Sequence, residues 1–459
     1  MAADMSQKSI VQDTVSEARK AARSLKCKEY EIFCNAVRER SVLIERDRVV
    51  SASSLKDFGI FVRAVTDGRM GMAFTNTFDS KHVRMCVASA LKMSGVGDKD
   101  RNWQGFPSSK RSYRPVGGVF DKRVSSMTLS ELRSSADVMI GSARSAGSVS
   151  VTGGEVEAIH KVIAISNSSG IEALMEETIL SADCISVSGT GNAVTPECMD
   201  AAASHSKNLD FELLGESSGR VARLCARAAN PRTERCKVLF SPLSLGSSES
   251  GLLNIVLSRA LSGEYFVRKN SFLADKVGKE VAGSALSLTD DPTIPGRAGS
   301  RPFDDEGLPC KKTALVKDGV LKGFLWNSYF GAIAGEDSTG NGTRDYSTGN
   351  LSIAPMTLVV ERGRGDLDSL VQQIDRGYLV WGCQGAHTAN VETGDFSFVA
   401  SPGLKIERGE IVGGVSGALV SGNIMDLLGG VEMVGSDQKD FGSSLMPSMV
   451  FRDVRITTG

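Results

Sequence analysis

The sequence predicts an α+β protein. It has an N-terminal helix and antiparallel-sheet domain, a mixed middle region, and a C-terminal Gly-rich sheet that curls toward a barrel. Three observations carry this. Helical and strand periods alternate through about the first 110 residues. Forty-nine glycines stand against 12 prolines and crowd toward the C-terminal half. That half also breaks into short strand–turn–strand units, where glycine supplies bends, bulges and close backbone approach.

Each element follows in order. Val11, Val15, Ala18, Ala22 and Leu25 recur at helical spacing and predict a helix over 8–26. "EYEIFCNAVRERSVLIERDRVVSAS" then turns to partial alternation, rich in Val and Ile, as strands are. "FGIFVRAVTDGRMGMAF" is a hairpin, because Asp67-Gly68 accepts positive φ between two strand-like runs. A second helix is capped near Asp79, turns Val83, Val87, Ala90 and Leu91 inward, and stops at Gly95. This places a first domain at 1–112, followed by a Pro- and Gly-bearing connector, "GFPSSKRSYRPVGG".

The middle region is assigned to 113–234. Thr128 to Glu131 forms a capping box, and Leu132, Ala136, Met139, Ile140 and Ala143 are the apolar stripe behind it. Two strands meet at a turn over Asn167 to Gly170, and a further helix is expected at about 209–229. "CKVLF" opens the third region, 235–459. A helix at about 248–261 precedes hairpins around "KDG" and "ERGE", and Asp366 caps a short helix.

Composition excludes several functions. With 53 basic and 54 acidic residues the net charge is −1, so nothing draws the chain to nucleic acid or to an anionic membrane. No apolar run is long enough to span a bilayer. "MAADMSQKSI" lacks the pattern of a secretory leader. Nine cysteines, none in C-x-x-C spacing, read as free thiols of a reducing interior, so a cytoplasmic location is expected.

Chemistry-bearing motifs are sparse. The four histidines are too far apart for H-E-x-x-H, and no G-x-S-x-G occurs. "GAHTANVETGDFSF" gathers His387, Asp395 and Ser397, the ingredients of a triad or, equally, a polar loop serving its own turns. Asp304-Asp305-Glu306 before Gly307 reads first as a solvated turn and second as a cation-binding cluster. "EDSTGNGTRDYSTGN" contains S-T-G-N twice, at 338–341 and 347–350. Gly335 and Gly340 have phosphate-loop spacing, but Asn341 and Gly342 occupy the places of the lysine and hydroxyl that such a loop needs. The stretch therefore reads as a pair of Gly turns, with Arg344 between them to tie down carbonyls or a carboxylate.

The order of several segments resembles the TldD/PmbA family: "FDDEGLPCKKTALVKDGVLKGFLWNSY", then "STGNGTR", then "NVETGDFSFVASPGLKIERGEIVGGVSGALVSGNIMDLLGGVEMVGSD". "LIERDRVVSASSLKDFGIFVRAVTDGRMGMAFTN" fits the family's first domain more weakly. The resemblance implies a cytoplasmic peptidase assembly with two kinds of chain. TldD-type chains carry His-Glu-x-x-x-His on a helix, plus a late cysteine, to hold a metal. TldE-type (PmbA) chains lack these ligands and pair with them. The complex is linked to maturation or degradation of small or unfolded peptides, and an older name is modulator of DNA gyrase.

The metal motif aligns with Asn254 to Arg259, here N-I-V-L-S-R, and the late cysteine with Ser443-Ser444. Asn254, Ile255 and Arg259 cannot replace the family's ligands and base. The chain is thus similar to the TldE branch, with no cofactor of its own and zinc expected only in a TldD-type partner. The resemblance also makes Ser338, Thr339, Gly340, Asn341 and Arg344 a candidate substrate or partner loop. The expected assembly is a heterodimer with that partner or a homodimer, acting on peptides, with no nucleic acid or membrane involved. The alternatives are a stand-alone homodimeric peptidase using His387, Asp395 and Ser397, or a gyrase-modulator type of binding protein.

Overall fold

A computed structural model describes residues 6–108, 113–189 and 191–458. The predicted connector "GFPSSKRSYRPVGG" lies partly outside the described residues, at 109–112. Helix α1 (Gln7–Ser24) leads into β1 (Glu29–Glu45), β2 (Arg48–Thr66) and β3 (Arg69–Thr75). Arg46 and Asp47 make the first turn with φ of 51° and 61°, and Asp67 and Gly68 make the second with φ of 50° and 75°. Both are the left-handed geometry that two-residue hairpins require. Helix α2 (Ser80–Ser94) starts at Asp79, whose side chain accepts from the His82 backbone N–H.

The short α3 (Lys122–Ser125) and α4 (Leu129–Ser145) follow, α4 closed by the Thr128–Glu131 capping box. Then come β4 (Val149–Asn167), β5 (Glu172–Ser188), β6 (Cys198–Ser204) and α5 (Phe211–Cys225). The boundary expected at 112 does not separate two sheets. β1 pairs with β4 from Glu31–Asn167 to Glu45–Gly153, so all six strands form one sheet in the order β3-β2-β1-β4-β5-β6. Strands of 17 and 19 residues are long enough to carry two helix pairs side by side.

Alternation along β1 sorts its two faces. Ile32, Cys34 and Ala36 meet α1 and α2, while Val42 and Ile44 meet α4 and α5. The opposite face presents Glu31 and Phe33. Phe33 packs with Phe61, Ile165 and Ile171 against Phe303 of the C-terminal region.

Strand β7 (Glu234–Phe240) enters a nine-stranded sheet, the curled sheet of the C-terminal region. A short α6 (Pro242–Gly246) that was not expected precedes α7 (Leu252–Ala260), the helix expected at about 248–261. Ser241 caps α6 and Pro242 sits in its first turn, so helix begins directly after the strand. Leu252, Leu253, Val256, Leu257 and Leu261 of the α7 region lie in the main core. The expected hairpins are present: Asp318-Gly319 and Arg408-Gly409 turn with positive φ. A second, six-stranded sheet brings Leu288–Asp290 beside Leu358–Val360. Among the described residues no helix is long and apolar enough to cross a membrane.

Candidate functional site

The S-T-G-N doublet lies at a junction between the C-terminal region and the N-terminal sheet, with Thr339, Gly340, Asn341, Arg344 and Gly349 buried and Ser347, Thr348 and Asn350 exposed. Asn341 is fully buried. Its Nδ2 donates to Asp290 Oδ2 at 2.6 Å and to the Ala354 carbonyl at 3.1 Å. Gly340 has φ +80°, and a Cβ there would lie 2.6 Å from the Pro309 carbonyl oxygen. Gly349 has φ +76°, and its Cβ would lie 2.4 Å from the Phe61 ring. The glycines are there for close approach, with no room left for a phosphate.

Arg344 ties the two parts together. Its Nη2 donates to Glu31 Oε1 at 2.6 Å, its Nη1 to the Gly349 carbonyl at 2.9 Å, and its backbone N–H to Asp305 Oδ2 at 2.8 Å. The guanidinium lies 4.7 Å from the Phe33 ring centroid. Glu31 also accepts two bonds from Arg63, at 2.9 and 2.8 Å. Burial pushes the Glu31 carboxyl up, but the charges of Arg63 and Arg344 outweigh it and hold it below its ordinary value.

The acidic triplet expected on the surface is buried: Asp304, Asp305 and Glu306 are 0%, 2% and 1% exposed. The reason is that each has partners. Asp304 accepts from the backbone of Glu306, Leu308 and Gly342. Asp305 accepts from Arg301 at 2.8 Å and Glu306 accepts from Ser328. Burial and the neighbouring Glu306 charge push Asp304 well up, and burial pushes Glu306 up. Such a pair of facing carboxyls keeps a proton where isolated ones would lose it. Sequence reasoning missed this triplet. The available signal was Arg301 four residues ahead and Arg344 beyond, a surplus of cations for a solvated turn.

A second constellation surrounds α7. Asn254 is buried, and its Nδ2 donates to the Gly246 carbonyl and to Ser443 Oγ, both at 3.1 Å. Its Oδ1 accepts from Ser258 at 3.2 Å. The alignment drawn from sequence thus meets in space, with Asn254 against Ser443. Ile255 is half-buried and Arg259 is exposed. These residues do not fit a metal: the amide is engaged on both sides, Ile255 has no lone pair, and Arg259 is a cation turned to solvent. Among the described residues no group of three or more His, Cys, Asp or Glu is placed to hold one.

Beside the loop after α6 lies a cavity of about 450 Å³ lined by Glu155, Glu157, Asp183, Ser247, Glu249 and Phe441, among others. Burial, then the charge of Glu39, pushes Glu157 up to about 7. Burial, then Glu155 and Glu249, pushes Asp183 up to about 6.

His387 lies in a short 3-10 turn, Ala386–Thr388, and is exposed. Asp395 spends its carboxylate on Asn423 Nδ2 at 3.0 Å and Thr393 Oγ1 at 2.8 Å. Ser397 is exposed two residues along the same strand. Among the described residues no hydrogen bond joins His387 to Asp395 or Ser397, so the relay a triad requires is not assembled.

A long-stranded sheet joined to a curled C-terminal sheet, with a helix facing a late serine turn, is the scaffold that positions these groups. Residues 233–458 match the PmbA/TldA metallopeptidase C-terminal domain, and residues 30–94 match PmbA/TldA metallopeptidase domain 1. The chain belongs to the PmbA/TldD family. It is similar to the crystal structure of TldE from Thermococcus kodakarensis, with 29% identity, a TM-score of 0.89, and coverage of 98% of this chain and 100% of that one. An uncharacterized protein of Methanocaldococcus jannaschii is 27% identical over 416 residues, 90% of this chain and 93% of its own length. A PmbA homologue of Haemophilus influenzae, described as a metalloprotease, is 34% identical over 178 residues, 39% of this chain and 37% of its own.

Proposed function

We propose that this chain is a TldE-type, non-catalytic subunit that pairs with a metal-bearing TldD-type chain to form a cytoplasmic peptidase acting on small or unfolded peptides. The observation that carries the reading is the set of bonds at Asn254. Where the family's first metal ligand falls, an amide bridges Gly246, Ser258 and Ser443, so the helix is held as a packing element. Similarity to TldE over nearly the whole chain supports the same branch. Zinc and the activated water then belong to the partner, and this chain contributes shape, a pairing surface and part of the peptide enclosure.

The test is metal analysis and peptide cleavage on the chain alone and mixed with a TldD-type chain. The isolated chain is expected to hold no stoichiometric zinc and to cleave nothing, and the mixture to cleave. A TldD-type chain that is fully active without this one would overturn the reading.

A further inference from the structure

A second cavity, about 500 Å³, lies between the N-terminal sheet and the C-terminal region, apart from the α7 constellation. One wall is Trp103 and Phe106, packed edge to face at 4.9 Å between centroids. The other is Tyr329 and Phe330, edge to face at 5.1 Å, on the helix Ser328–Ala334. Both walls are held before anything binds. Trp103 Nε1 donates to Glu29 at 2.8 Å, and Asn327 caps the helix by accepting from the Phe330 backbone at 2.9 Å. Preorganised aromatic walls favour a large apolar guest, because little ordering is left to offset.

The charged lining is mixed, Arg63 and Arg268 with Asp100, Glu264 and Glu306. Arg63 lines the cavity, is 9% exposed, and sits 5.3 Å from the Phe106 ring centroid. Its Nε and Nη2 both go to Glu31, which leaves Nη1 with no hydrogen-bond partner among the described residues. Nη1 is not among the buried polar atoms that lack a partner, so it opens to the cavity and is free to donate to an oxygen acceptor there. The other lining cation, Arg268, is already paired with Glu264 at 3.0 Å. The cavity size is in the range of small-ligand sites, about 300–1,000 Å³.

We infer that this interdomain cleft is a peptide-residue pocket: a large apolar or aromatic side chain lies between Trp103–Phe106 and Tyr329–Phe330, and a carbonyl-type oxygen of the same peptide accepts from Arg63 Nη1. The inference rests on the reading of the chain as part of a peptide-handling assembly, and it names the residue class selected. The oxygen comes from a backbone carbonyl or from a terminal carboxylate.

The experiment is calorimetric titration of the full chain with three probes: acetyl-Gly-Phe-Gly-amide, the same peptide with a free carboxylate, and acetyl-Gly-Glu-Gly-amide. Saturable binding of the Phe peptides is expected, with the Glu peptide weaker by about tenfold or more. The first two probes separate carbonyl from carboxylate. Tyr329→Ala is expected to weaken Phe-peptide binding about fivefold or more, and Leu351→Trp, which fills the cleft from its rim, to abolish it. Equal binding of Phe and Glu peptides, or Phe-peptide affinity unchanged in both folded variants, would overturn the pocket. If one variant does not fold, the other and the probe comparison still decide. Pairing with a TldD-type chain is scored separately by light scattering, so loss of the pocket and loss of the subunit reading are distinct results.

Discussion

Arg344 and Glu31 carry the largest single-residue consequence. Arg344 reaches Glu31, an acid on the first strand of the N-terminal sheet, at 2.6 Å and out of solvent. Arg344→Met leaves the Asp305 and Gly349 carbonyls short of a donor and Glu31 with Arg63 alone. The expected loss is about 3 kcal/mol, the lower end for breaking a buried pair, because Arg63 remains. Thermal unfolding followed by circular dichroism checks it, and Glu31→Gln combined with Arg344→Met should cost less than the sum of the two. Glu157 sets a pH dependence of opposite sense. Its folded pKa, about 7, stands above the ordinary carboxylate value, so the folded state keeps a proton that the unfolded chain releases. Stability from this group is present near pH 4.5 and lost as pH rises through 7. Glu157→Gln is therefore expected to match the parent's melting temperature at pH 4.5 and to exceed it at pH 8. At this scale the sequence was least legible. Asp304, Asp305 and Glu306 look like a surface turn until a distant arginine is brought to them, and no local pattern reports that.

Elements were far more legible, because their causes are local. The Asp67-Gly68 turn, the Asp79 cap, the Thr128–Glu131 box and the two short C-terminal hairpins are each fixed by a few adjacent residues. The helix near 248–261 follows from its apolar spacing, whereas the short α6 before it, started by Ser241 and Pro242, has too few residues for spacing to register. The doublet glycines give the sharpest test of an element. Gly340→Ala places a methyl 2.6 Å from the Pro309 carbonyl at a φ of +80°. A loss of about 2 kcal/mol or more is expected, from strain and clash together. Chemical denaturation read against the parent checks this, and Gly335→Ala, where φ is +76° but a Cβ meets nothing within 4 Å, should cost less.

Across the whole molecule, the α+β class and the Gly-bent C-terminal sheet follow from composition and period, whereas strand order does not. Nothing in the sequence says that β4 pairs with β1 across more than a hundred residues and so merges two expected regions into one sheet. That merger positions everything else. One face of the sheet carries the helices. The other presents Glu31, Phe33 and Arg63 to the C-terminal region, where they meet Arg344, Phe303 and the interdomain cleft. α7 is tied through Asn254 to the Gly246 carbonyl and the Ser443 hydroxyl. On the proposed reading, this chain completes an enzyme whose metal lies in another subunit. The most direct measurement is zinc content and peptide-cleavage rate of the purified chain, alone and after mixing with a TldD-type chain. The account predicts no stoichiometric zinc and no cleavage alone, and cleavage together with a stable complex on mixing. One zinc per chain with peptide cleavage by this chain alone would contradict it.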